Sequence, residues 1–169
     1  MQFFYIFFRY LFSLVIALNM NILYIIFSPL TLYPVIFITS FFYESSIIGN
    51  TIIIGDISIS LADACIAGSA YLLLLILNLS VRMDCRKRVY SILFSMLAFL
   101  ILNIARIILF TFLLLNSFAY FDITHKIFWY FVSSILVVLV WFLTIRIFKI
   151  KEIPFYTDLR LVYKETRRR

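Results

Sequence analysis

ACIAGSAYLLLLILNLSVRMDCRKRVYSILFSMLAFLILNIARIILFTFLLLNSF, residues 64–118, consists of two long apolar runs joined by one basic patch. The first run, Ala64 to Val81, carries no charge, and the second, Val89 to Phe118, carries only Arg106. The hydrocarbon core of a bilayer is roughly 30 Å thick and takes about 20 apolar residues of helix. Both runs are of that order. Between them, RMDCRKR (82–88) sets Arg82, Arg86, Lys87 and Arg88 against one acid, Asp84. Short basic loops stay on the cytoplasmic side of a membrane. The stretch therefore predicts two antiparallel spans joined on the inside.

Working outward, AYFDIT (119–124) reads as an outer loop and Lys126 to Phe148 as a last span returning inward. The segment from Lys149 to Arg169 is basic, ends in RRR and falls inside as well. Upstream, ESSIIGNTIIIGDISISLAD (44–63) must then lie outside. Its β-branched runs flank Gly55-Asp56 and read as two small strands around a turn. The first apolar stretch, Phe3 to Tyr43, would be about 60 Å long as one helix, twice the membrane. It is expected to break near Pro29 and Pro34. Tyr10 to Phe27 is then one span, and Leu30 to Tyr43 either a second, short span or a half-inserted segment. One span puts the N-terminus inside, where Arg9 obeys the positive-inside rule; two put it outside. The first arrangement is preferred.

Composition agrees. Of 169 residues 65% are hydrophobic and only 14% charged, well outside the soluble range. The net charge of +7 sits in short patches beside apolar spans, so it argues for orientation and against nucleic acid as a partner. The N-terminal apolar stretch is too long for a cleaved signal peptide and lacks a small-residue cleavage site. The expected fold is an all-α polytopic membrane bundle of about four or five transmembrane helices. A short extracytoplasmic segment precedes the helix that carries Cys65. Residues 1–148 form a single membrane domain, and 149–169 a basic cytoplasmic tail.

Three residues then share one depth, near the outer surface. Cys65 lies in the first turn of its helix, with Ser60 or Asp63 as the N-cap. Arg106 lies in the outer part of its span, and His125, the only histidine, begins the last one. A charge inside a span costs about 2.5–3.5 kcal/mol on insertion scales, so such residues as a rule face the protein interior and do a job; an ion pair or snorkelling to the outer surface is the competing reading of Arg106. Asn103 is three residues before Arg106 on the same helix face. The partial positive charge of a helix N-terminus lowers a thiol pKa, and histidine can act as its base. An inert buried cysteine is the competing reading of Cys65. Cys65 and Cys85 are about 30 Å apart along a helix, too far for a disulfide. Cys85 is read as a bystander in a reducing cytoplasm. One histidine and two distant cysteines make no metal site, and no cofactor is indicated. The many aromatic residues are assigned to lipid-facing and interfacial positions.

The order ADACIAGSAYLLLL (62–75), NIARI (103–107) and His125 at a final helix resembles the exosortase and archaeosortase family of membrane transpeptidases. The resemblance covers about residues 50–147 and is closest to short archaeal members. It implies a cysteine transpeptidase or protease, with Cys65 as nucleophile, His125 as acid and base, and Arg106 stabilising the oxyanion or the substrate. Asn103, Gly68, Ser69 and Asp63 would support the site. Implied partners are exported proteins whose C-terminal sorting signal has a short motif, an apolar span and a basic tail. A membrane lipid would accept the new C-terminus. The site would face the extracytoplasmic side of a multi-pass cell-membrane protein. One departure stands out. The family commonly reads Cys-Ser-Gly or Cys-Thr-Gly, whereas here Cys65-Ile66-Ala67-Gly68 puts the glycine one place later and lacks the hydroxyl residue.

Overall fold

A computed structural model describes residues 2–49, 51–54, 57–60, 63–81, 83–116 and 119–150. The expected turn Gly55-Asp56, Arg82 of the basic joint and nearly all of the expected tail (151–169) lie outside the described residues. The chain is mostly helical. Helices α1 (Gln2–Leu18) and α2 (Asn21–Thr39) lead into strands β1 (Ser45–Ile48), β2 (Thr51–Ile54) and β3 (Ile57–Ser60). Then come α3 (Asp63–Ile66), α4 (Gly68–Ser80), α5 (Cys85–Leu115), α6 (Phe121–Ile127), a π-helical turn (Phe128–Val132) and α7 (Ser133–Ile147).

The first apolar stretch does break, but not at its prolines. Pro29 and Pro34 both lie inside α2, and the interruption is at Asn19-Met20. The Asn19 amide donates to the Val15 carbonyl at 3.0 Å, a side-chain bond that competes with the helix ladder. Met20 keeps right-handed helical angles, and short backbone bonds (Asn19 N to Ile16 O, Ile22 N to Asn19 O) carry the chain through. The break is thus a kink, not a reversal. Arg9 donates to the Ser80 carbonyl at one end of α4, while Tyr24 packs on Gly68 at its other end. The chain therefore advances along α4 from Arg9 to Tyr24, and α2 carries on beyond it. Each proline removes a single backbone donor, and α2 continues through both.

The expected pair of strands is a three-stranded antiparallel meander in the order β1-β2-β3. Ile48 pairs with Thr51 and Ile54 with Ile57. Gly49 has a φ of +62°, the left-handed conformation that glycine adopts without steric cost. Along β2, Ile52 and Ile54 are buried while Thr51 and Ile53 are half-exposed, the period-two pattern of a strand with one covered face. That face packs on Leu32 and Val35 of α2 and Ile107 of α5.

The cysteine-bearing helix, expected to be continuous from Ala64 to Val81, is broken. Its first turn is α3; Ala67 then takes left-handed angles (φ 59°, ψ 42°), and α4 starts at Gly68. The basic residues 86–88 belong to the first turn of α5, not to a loop. Arg88 reaches back to the Val81 carbonyl at 3.1 Å, capping the end of α4. The last helical segment starts at Phe121, five residues before the expected Lys126, so the expected loop 119–124 is largely helix and His125 sits in the last turn of α6.

Rings mark how the segments run. Phe42 and Tyr43 meet Phe112 near the end of α5, and Phe94 near its start meets Phe148 after α7. The chain therefore rises through α1 and α2, descends in α4, rises in α5 and descends through α6 and α7. The sheet lies at the upper end. Helices α2 and α5 are long and apolar enough to cross a membrane. The exterior is apolar, with Ile25, Phe37, Leu97, Ile101, Ile135 and Phe142 exposed. The interior, by contrast, holds polar groups. Asn78 of α4 donates to Ser95 and accepts from Ser91, both on α5, and all three are fully buried. This inside-out distribution suits a lipid setting, where interhelical hydrogen bonds replace water.

Candidate functional site

The site is built at the α3–α4 break. A single turn of helix followed by a left-handed residue leaves the Cys65 carbonyl to be met by side chains. Two reach it from α5: Asn103 Nδ2 at 2.9 Å and Arg106 Nη2 at 3.3 Å. Residues three apart on a helix share a face, which is why one helix delivers both. The Arg106 guanidinium also donates, through Nη1, to the Ser133 hydroxyl, which itself donates to the Phe128 carbonyl at 3.0 Å. Ser133 follows directly on the π-helical turn, a widened ladder of the kind often found at functional positions.

Arg106 is only 9% exposed and does not snorkel. Among the described residues no carboxylate meets it; its electrostatic neighbours are the Cys65 thiol and the Tyr71 hydroxyl. Two of its five N–H donors are engaged by Ser133 and Cys65. Cys65 itself is half-buried, with Leu32, Val35, Ile52, Ile54 and Ile107 around it. Ile52 and Ile54 bring the sheet into the cluster against which the cysteine packs. Both cysteines are free thiols, and Cys85 is exposed at the start of α5, at the far end of the bundle.

The structure gathers Cys65, Asn103 and Arg106 into one contact set. It does not draw His125 into it by a hydrogen bond. His125 is exposed, with its ring edge-on to Phe110 at 5.1 Å and parallel to Phe121 at 5.7 Å. Phe110 is one turn along α5 from Arg106, so His125 lies at the same end of the bundle, a turn beyond. The helix-dipole route to thiol activation also changes. Cys65 is the third residue of a four-residue helix, and so short a helix has little macrodipole. The Arg106 guanidinium is the positive charge at hand instead.

The supporting residues divide. Gly68 is buried under Tyr24: a Cβ there would come within 2.7 Å of the tyrosine ring, which would have to shift to admit it. Ser69 is exposed beside it. Asp63 opens α3, but its side chain lies outside the described part. Two residues went unread in the sequence. Ser133 stands out only as a polar residue in an apolar run. Tyr71, an aromatic expected at a lipid-facing or interfacial position, is fully buried, stacked on Phe27 at 3.6 Å and edge-on to Phe99 at 5.0 Å. No protein-family model, curated protein or solved structure matches this chain.

Proposed function

We propose that this chain is a multi-pass membrane cysteine peptidase or transpeptidase that cleaves the C-terminal sorting signal of exported proteins. The observation that carries the reading is the set Cys65–Asn103–Arg106. The turn that carries the thiol and a buried guanidinium that no carboxylate among the described residues meets come together at the Cys65 carbonyl, at the bundle end opposite the basic patch. By the positive-inside rule that end faces outward, where a tethered exported protein would present its signal.

In this reading the Cys65 thiol gives up its proton, with His125, a turn beyond the contact set, in the acid and base role the resemblance implies, and the sulfur attacks the scissile carbonyl. Arg106 stabilises the oxyanion that forms. The C–N bond breaks, and the leaving amine takes the proton from His125. The thioester is then resolved by the hydroxyl or amine of a membrane lipid, giving a transferred C-terminus and restoring the thiol. One local feature supports the family resemblance. The glycine of the family's Cys-Ser-Gly motif falls at position 67, and Ala67 holds the left-handed backbone that glycine favours there.

The competing class is a non-enzymatic membrane scaffold, in which Arg106 only caps the α3 break. Co-expression with a substrate ending in a short motif, an apolar span and a basic tail separates the two. Wild type should shorten the substrate and Cys65→Ser should not; processing that persists in Cys65→Ser removes the nucleophile assignment. The mass of the product distinguishes a free from a lipid-linked C-terminus.

A further inference from the structure

Two buried polar atoms have no partner among the described residues: the Tyr71 hydroxyl and Asn103 Oδ1. Tyr71 is 0% and Asn103 1% exposed, so neither is satisfied by the surface. An orphaned polar group is costly in an apolar interior, and more so where no bulk water reaches. The two are complementary, one an O–H donor and the other an acceptor, yet they do not bond each other. The Asn103 amide cannot simply be turned over. Its Nδ2 already faces the Cys65 carbonyl, which only accepts, so Oδ1 must be the free atom. Tyr71 is held by the Phe27 stack and the Phe99 edge, and Phe99 is one turn before Asn103 on α5. Asn103 and Arg106 both meet the Cys65 carbonyl, and the Arg106 charge is felt by both the Tyr71 hydroxyl and the Cys65 thiol, so the orphans lie around the same arginine as the thiol.

A carboxylate or phosphate would satisfy the Tyr71 hydroxyl but leave Asn103 Oδ1 facing another acceptor. A group that offers both an acceptor and an N–H satisfies both. We propose that Tyr71 and Asn103 form the subsite for the substrate residue whose carbonyl is attacked: Tyr71 Oη donates to that carbonyl oxygen, and Asn103 Oδ1 accepts the N–H of the same residue. This rests on the peptidase reading above and specifies how the substrate backbone is held. Tyr71 then shares the developing oxyanion with Arg106, while Asn103 ties the substrate to the turn that carries the nucleophile.

The test uses the full-length protein in lipid nanodiscs and follows labelling of Cys65 by mass spectrometry. An apolar dipeptidyl chloromethyl ketone supplies both the carbonyl and the N–H, and methyl methanethiosulfonate, which has neither, reports the thiol alone. The peptidyl reagent should label Tyr71→Phe at least about tenfold more slowly than wild type, a conservative share of the roughly 10²–10³ that losing one oxyanion donor costs. Methanethiosulfonate labelling should be unchanged. A probe N-methylated at the residue bearing the ketone should label wild type comparably slowly, a measurement that needs no variant. Equal peptidyl labelling of wild type and Tyr71→Phe, or no effect of N-methylation, overturns the subsite and leaves the peptidase reading standing. So does a parallel loss with methanethiosulfonate, which would place the effect on the thiol. If wild type shows no peptidyl labelling at Cys65 although methanethiosulfonate reacts there, the peptidase reading fails and the subsite with it.

Discussion

The side-chain amide of Asn103 lies 2.9 Å from the carbonyl oxygen of Cys65, 38 residues earlier in the chain. This bond ties a broken helix to the long helix that crosses the bundle, and it sets where the thiol sits. Asn103→Leu keeps the side-chain volume and removes the donor. The Cys65 carbonyl is then left with the longer Arg106 bond, and a poorly satisfied buried acceptor costs about 1–3 kcal/mol. Unfolding by denaturant in detergent should show a loss of that order, with faster methanethiosulfonate labelling of Cys65 as the turn loosens. An unchanged midpoint and rate would mean that the bond does not hold the turn.

Neighbouring positions at the break should respond with opposite signs. Ala67 occupies the left-handed region, at a cost of about 1–2 kcal/mol for an L-residue, partly offset in glycine by unfolded-state entropy. Ala67→Gly should therefore stabilise by about 0.5–1 kcal/mol. Gly68→Ala drives a methyl into the Tyr24 ring and should destabilise by about 1–3 kcal/mol. A double variant with Tyr24→Ala should recover part of that loss. Thermal melts of the four proteins decide it, and equal melting temperatures would remove the argument from backbone and packing.

How much of this was legible in the sequence depends on the range of the interactions. The apolar runs around residues 82–88 marked α4 and α5 because burial in lipid needs only length and composition. Arg106 and Asn103 were legible for the same reason, since a charge and an amide in an apolar run require partners. The kink at Asn19 was not, because prolines are read as breakers by default, yet α2 runs through both of its own. Nor was the break at Ala67, since alanine carries no signal for a left-handed backbone. The hydrogen bonds of Ser133 and the covered hydroxyl of Tyr71 depend on tertiary contacts that no local pattern encodes.

The basic patch gives a topological prediction through Cys85, which is exposed at the start of α5 beside Arg86, Lys87 and Arg88. In a Cys65→Ser background it is the remaining thiol. A membrane-impermeant maleimide should leave Cys85 unlabelled in intact cells and label it in inverted vesicles, because basic segments stay inside. Labelling in intact cells would reverse the orientation and move the Cys65 site to the cytoplasmic face.

Arg106 spans two partners, the Cys65 carbonyl through Nη2 and the Ser133 hydroxyl through Nη1. Only a planar fork holds both at once while keeping further donors for an oxyanion. A lysine ammonium is a point charge and cannot. Arg106→Lys should therefore keep the positive charge yet lower substrate processing by roughly 10²–10³, the scale of losing a preorganised oxyanion donor. Ser133→Ala removes only the anchor of one guanidinium nitrogen, so the charge remains but is less fixed. Its effect should be smaller and appear in kcat more than in KM, because orientation matters most as charge develops. The order wild type, Ser133→Ala, Arg106→Lys in processing rate, with all three proteins folded by circular dichroism, is the expected result. Wild-type processing by Arg106→Lys would show that positive charge alone suffices, and the fork between Cys65 and Ser133 would then be a structural brace.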